Sequence, residues 1–177
     1  KFDREIESLL NSYMDQLMSK GGDIIRNHPS TLFVFSAGNK KDNTDEKLHY
    51  PSSIIADNVI SVTASDENGG DKAYFSHFGK KTVTLFAPGV AISSCSPGDK
   101  YIPINGTSQA APQVTNTAAI IFEMADYYNT TISPKFVKDI LIQSANKLTT
   151  LKDLCVSGAK LDSSSSIKLA RKKLRQQ

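Results

Sequence analysis

Residues 31–39 read TLFVFSAGN. Three large apolar side chains in succession, Phe33, Val34 and Phe35, cannot all share one face of a strand, because successive side chains point to opposite faces. Such a run suits a strand buried on both sides, as parallel sheets require. It stops at Ala37-Gly38-Asn39. Working outward, Asn58–Ala64 (NVISVTA) and Thr82–Ala87 (TVTLFA) have the same character. Asp66–Asp71 (DENGGD) makes the turn between them. Helical patterns fill the remainder. Ile6, Leu9, Leu10, Tyr13, Met14, Leu17 and Met18 recur at helical spacing, which predicts a helix over 3–20 ended by Gly21-Gly22. Thr107–Tyr127 is rich in Ala, Ile and Val and predicts a largely buried helix. Ser133-Pro134 starts another, running to about Asn146. A serine run then precedes a basic helix over 166–175. Buried strands alternating with helices point to an α/β fold with a mostly parallel sheet.

The 177 residues suit one domain. Hydrophobic content of 39% and charged content of 22% allow a real core. No apolar run reaches the roughly 20 residues that cross a bilayer. Lys1–Lys20 is an amphipathic pattern and not a signal peptide. The net charge of +3 is uneven, because Lys168, Arg171, Lys172, Lys173 and Arg175 crowd the C-terminus. A solvated helix face accounts for them; an anionic partner or membrane surface is the other reading. No aromatics alternate with these charges, so no nucleic acid is expected. Cys95 and Cys155 form no metal-ligand spacing, and no metal site is expected. Two free thiols or a single bridge both stay open. Asn129-Thr130-Thr131 and Asn105-Gly106-Thr107 match the N-glycosylation pattern, the second inside the candidate site.

The chemistry concentrates in residues 102–115, IPINGTSQAAPQVT. A nucleophilic serine needs an exposed hydroxyl at a fixed point, a base, and donors aimed where the oxyanion forms. Gly106 permits a tight turn before Ser108. A helix beginning there turns its free N–H groups and positive dipole end toward that point. Ala110 and Ala111 allow close packing behind it, and Pro112 is expected in the first turn, where its missing N–H costs nothing. The alternative is that Thr107 or Ser108 merely caps a helix. Asn39 and Ser108 both follow a strand end, the place where parallel sheets collect their functional groups.

Gly106–Pro112 (GTSQAAP) resembles the nucleophile motif of the subtilisin-like serine proteases, G-T-S-M-A-A-P. Further segments follow in that family's order. Phe33–Asn39 (FVFSAGN) is similar to the strand carrying the oxyanion-hole Asn. Tyr50–Ser53 (YPSS) with Val59–Ala64 (VISVTA), and Ala73–Gly79 (AYFSHFG), resemble the segments after it. So do Phe86–Gly89 (FAPG) with Ile92-Ser93-Ser94, then Ser144–Leu148 (SANKL), and more weakly Gly158–Asp162 (GAKLD). The resemblance covers roughly residues 5–170 and implies a three-layer α/β fold, present as a partial domain. Residues 1–163 would be the C-terminal part of the catalytic domain and 164–177 its basic terminal helix. It implies that Ser108 is the nucleophile and that Asn39 and the Ser108 N–H form the oxyanion hole. Ser36, Ala37, Gly38, His49 and Thr107 become the substrate-binding candidates: residues 36–38 a wall, His49 the base of the pocket. A loop position for His49, pointing to solvent, is the competing reading. Tyr50-Pro51 is expected to be cis. Gln109 stands where the family has Met, and Gln113 where it has a structural His.

The family's catalytic Asp lies in an Asp-Ser/Thr-Gly segment and its catalytic His in His-Gly-Thr; neither occurs here. His28, His49 and His77 lie in other contexts. The resemblance therefore implies part of a serine endopeptidase, inactive alone, whose partners are its missing N-terminal half, a peptide or protein substrate and, as a further candidate, an inhibitory propeptide. The alternative is a catalytically dead relative used as a binding scaffold. No cofactor is implied, although structural calcium is common in intact domains of the family. The resemblance also implies a secreted or extracytoplasmic protein.

Overall fold

A computed structural model describes residues 2–176, with side chains from Arg4 onward. Helix α1 (Phe2–Arg26) leads into strand β1 (Phe33–Ser36), followed by β2 (Val59–Ser65) and β3 (Leu85–Pro88). A hairpin of β4 (Ile92–Ser96) and β5 (Lys100–Ile104) precedes α2 (Thr107–Tyr127) and α3 (Pro134–Ser144). Short strands β6 (Asn146–Lys147) and β7 (Ala159–Lys160) and helix α4 (Ser163–Leu174) complete the order. The main sheet runs β1-β2-β3-β7-β6. Strands β1, β2, β3 and β7 are parallel and β6 is antiparallel.

The alternation of side chains along the strands builds three layers. Ile60, Val62, Ala64, Leu85 and Ala87 face one side, where Val114, Ala118 and Ile121 of α2 and Val137, Ile140 and Leu141 of α3 cover them. Val59, with Phe33 and Phe35, faces the other side and meets Ile25 and Met18 of α1. Phe86 turns away from α2 as well, onto Ala37, Val83, Leu151 and Cys155. All seven residues of β2 are buried, as its sequence led one to expect.

Four details differ from the sequence reading. Helix α1 does not stop at Gly21-Gly22; it runs through them to Arg26. Gly21 is needed for closeness, because a Cβ there would lie 2.6 Å from Tyr50 Cε2 and 3.2 Å from Ile54 Cδ1. Strand β3 begins at Leu85 rather than Thr82, whose hydroxyl is engaged by Asp45 Oδ1 at 2.8 Å. Helix α4 takes in the serine run, because Asp162 caps it by accepting the Ser165 N–H at 2.8 Å. Pro112 lies beyond the first turn of α2, so the Ser108 carbonyl lacks the helical donor that residue 112 would otherwise supply. The Tyr50-Pro51 bond is cis, as expected. Cys95 is exposed, Cys155 is buried, and both are free.

Two surfaces stand open. Strand β1 is an edge of the sheet, only half-buried, and pairs on one side with β2. On α1 the apolar stripe is exposed, with Leu9 at 72% and Leu10 and Tyr13 at 60%. None of the described helices is long and apolar enough to cross a membrane.

Candidate active site

The end of β1 and the start of α2 meet because α2 packs across β1 and β2, burying Ala110 and Val114 against the sheet. The turn before α2 is fixed independently. Gly106 N donates to Gly89 O at 2.8 Å, and Ala91 N donates to Asn105 Oδ1 at 2.7 Å. At the other strand end, Ala37 N donates to Val62 O at 2.8 Å. Gly38 then adopts φ 113°, a conformation that a side chain would strain.

Thr107 joins the two turns. Its backbone N–H and its hydroxyl both donate to Asn39 Oδ1, at 3.0 Å each, and its hydroxyl accepts the Gly38 N–H at 3.1 Å. These bonds settle the orientation of the Asn39 amide: the oxygen faces Thr107, and Nδ2 donates to none of the described residues. Thr107 itself is 1% exposed.

Ser108 is exposed at the first turn of α2. Its N–H donates to none of the described residues. A Cβ built on Gly106 would stand 3.7 Å from Asn39 Nδ2 and 3.7 Å from Ser108 N. Asn39 Nδ2 and Ser108 N thus lie equally near one point at the Gly106 turn. No acidic residue occupies the first turn of α2, so nothing there offsets the positive end of the helix. A groove of about 570 Å³ opens alongside, lined by Val34, Ser36, Ser108, Ala111, Pro112 and Thr115 among others. It lies between the open edge strand and α2.

Of the remaining candidates, Ser36 borders that groove and Ala37 is buried, its carbonyl accepting from Ser52 Oγ at 3.3 Å. His49 does not point freely to solvent. It is half-buried, with Nδ1 3.3 Å from Ser52 Oγ and its ring edge-on to His77 at 5.0 Å. His28 sits at the end of α1, its Nδ1 2.7 Å from Ile24 O. The histidines' hydrogen bonds therefore lead away from Ser108. Two polar side chains matter more than the sequence suggested. Gln113 bridges α2 to the end of β3 through Pro88 O at 2.6 Å. Gln109 places Oε1 2.6 Å from where a Gly106 Cβ would be, at the margin of the donor pair. Among the described residues, no group of three or more His, Cys, Asp or Glu gathers to hold a metal ion.

An exposed hydroxyl, two N–H donors and a groove lie together here, a set of groups that can support acyl transfer. Comparison with known proteins identifies the family. Residues 3–161 match the Subtilase family. Subtilisin-like protease 1 of Plasmodium falciparum is 31% identical over 185 residues, covering 95% of this chain and 25% of that protein. The extracellular basic protease of Dichelobacter nodosus is 32% identical over 143 residues, covering 77% of this chain and 23% of that protein. Among solved structures, the patellamide maturation protease PatA superposes with a TM-score of 0.71 at 28% identity, covering 85% of this chain and 54% of that one. The chain spans about a quarter of the length of those curated relatives. It is a member of the subtilase family of serine proteases.

Proposed function

We propose that these residues supply the nucleophile and oxyanion hole of a serine endopeptidase. Ser108 Oγ attacks the scissile carbonyl, and a histidine from outside these 177 residues takes its proton. The oxyanion is met by Asn39 Nδ2–H and the Ser108 N–H, preorganised before substrate arrives. The same histidine protonates the leaving amine, and water then hydrolyses the acyl-enzyme. Ser36, Ala37 and Gly38 form one wall of the side-chain pocket and His49 part of its base. Thr107 contributes by holding both turns. The reaction needs no organic cofactor.

The observation that carries this reading is that Asn39 Nδ2 and Ser108 N each lie 3.7 Å from one point at the Gly106 turn. Supply of the base by further chain is supported by the open edge of β1, the apolar α1 stripe around Leu9, and the groove between β1 and α2. A docked N-terminal half would cover the first two and complete the groove as a substrate cleft. An inhibitory propeptide is a further partner of that assembled groove, and the protein acts outside the cytoplasm.

Peptide hydrolysis by the natural full-length protein tests the reading. Ser108→Ala abolishes turnover, and the 177-residue chain alone hydrolyses no peptide. Turnover unaffected by Ser108→Ala overturns the assignment.

A further inference from the structure

His77 lies outside the donor pair, yet it touches the segment that carries Asn39 at both of its ends. Its backbone N–H donates to Gly38 O at 2.9 Å. Its ring Nδ1 accepts the Asp42 N–H at 2.9 Å. Between these bonds lie Asn39, Lys40 and Lys41, with left-handed backbone at Gly38 (φ 113°) and Lys41 (φ 64°). The ring also fills the space under Gly38: a Cβ there would fall on His77 Cδ2 and within 2.5 Å of Nε2. His77 is itself anchored to the sheet. The Thr63 hydroxyl of β2 donates to His77 O and lies 2.6 Å from Ser76 Oγ.

Building on the serine hydrolase reading above, we propose that His77 is the positioning residue for Asn39: it clamps residues 38–42 from β2 and so fixes the amide that meets the oxyanion. A loop of five residues with two left-handed turns has many alternatives, and each misplaces Nδ2. The clamp closes only with a neutral ring. Nδ1 accepts from Asp42, so the single proton of the neutral ring sits on Nε2, which is buried and without a partner among the described residues. A charged ring would set a second N–H against the Asp42 N–H. Burial of the 1%-exposed ring disfavours that charge first of all. His49, Lys47 and Lys40 add to the effect, and Asp42 opposes it. The clamp therefore stays closed at neutral pH.

The test compares His77→Phe and His77→Asn in the full-length protein. Phe keeps the bulk and loses the acceptor; Asn places an oxygen near the Nδ1 position. His77→Phe lowers kcat by about 10- to 100-fold, the scale of a misplaced catalytic group, with KM within about threefold. His77→Asn stays within about threefold of wild type in both. Amide exchange reads the clamp without catalysis: Asp42 N–H exchanges at least about tenfold faster in His77→Phe and not in His77→Asn, while Ala37 N–H is unchanged. Undiminished kcat in His77→Phe, a loss confined to KM, or His77→Asn behaving like His77→Phe overturns the proposal. If the wild-type protein hydrolyses nothing, the hydrolase reading fails. Exchange then decides the clamp by itself, and an Asp42 amide equally protected in His77→Phe overturns it.

Discussion

Asn39 Oδ1 accepts two hydrogen bonds from Thr107, one from its backbone N–H and one from its hydroxyl, at 3.0 Å each. The pair joins the end of a strand to the start of a helix and decides which way the Asn39 amide faces. Removing the hydroxyl alone should therefore show in catalysis. Thr107→Val is expected to lower kcat by about tenfold or more, because it removes the bond to Asn39 and leaves the Gly38 N–H without its acceptor, whereas Thr107→Ser keeps most of it. Steady-state kinetics on the full-length protein check the difference.

Removing the donor itself should cost more. Asn39→Leu is expected to lower kcat by about 10²–10³ with little change in KM, the loss known for the oxyanion-hole Asn of subtilisin. An equal rise in KM would mean that Asn39 binds ground state and transition state alike.

The Gly38 turn has no room for a side chain. Its φ of 113° strains any L residue, and a Cβ would run into the His77 ring. Gly38→Ala is expected to destabilise by about 3 kcal/mol or more, combining backbone strain with overpacking. Chemical denaturation measures it.

Acid should destabilise the fold through His77. Burial, first of all, holds its pKa below the ordinary 6.5, while the unfolded chain titrates at that ordinary value. Above pH 6.5 neither state binds the proton, so this contribution to stability is fully present. As pH falls below 6.5 toward the folded value, the unfolded state takes up a proton that the folded state refuses, and stability is lost. Thermal melts at pH 5.0 and 7.5 should show a smaller acid loss in His77→Asn than in wild type.

Asp162 accepts the Ser165 N–H at 2.8 Å and the Ser165 hydroxyl at 2.8 Å, capping α4. Asp162→Ala is expected to cost about 1 kcal/mol, read by denaturation at neutral pH.

Much of this was legible in the sequence because local chemistry and global placement agreed. The apolar run 31–36 read as a strand of a parallel sheet, and β1 is one, but it is a half-buried edge strand and not a strand buried on both faces; the bounds of α2 followed from Gly106 and the small residues after it. Convergence of Asn39 and Ser108 followed from both lying past strand ends. Other features were hidden because they depend on distant neighbours. Gly21-Gly22 reads as a helix stop until Tyr50 is known to press against it. The β4–β5 hairpin has no alternating apolar pattern, since its strands are largely exposed. His77 looked idle in sequence because its partners, Gly38 and Asp42, lie 39 and 35 positions away. The periodicity of α1 shows an apolar stripe, and nothing in it says which surface would cover that stripe.

Fluorophosphonate labelling of the full-length protein, followed by peptide mass mapping, tests the central claim most directly, because the probe bonds only to a serine whose hydroxyl is activated beside an oxyanion hole. The account requires one adduct, on Ser108, that is lost in Ser108→Ala and sharply slowed in Asn39→Leu. Labelling at another serine, or no labelling of a folded full-length protein, would contradict it.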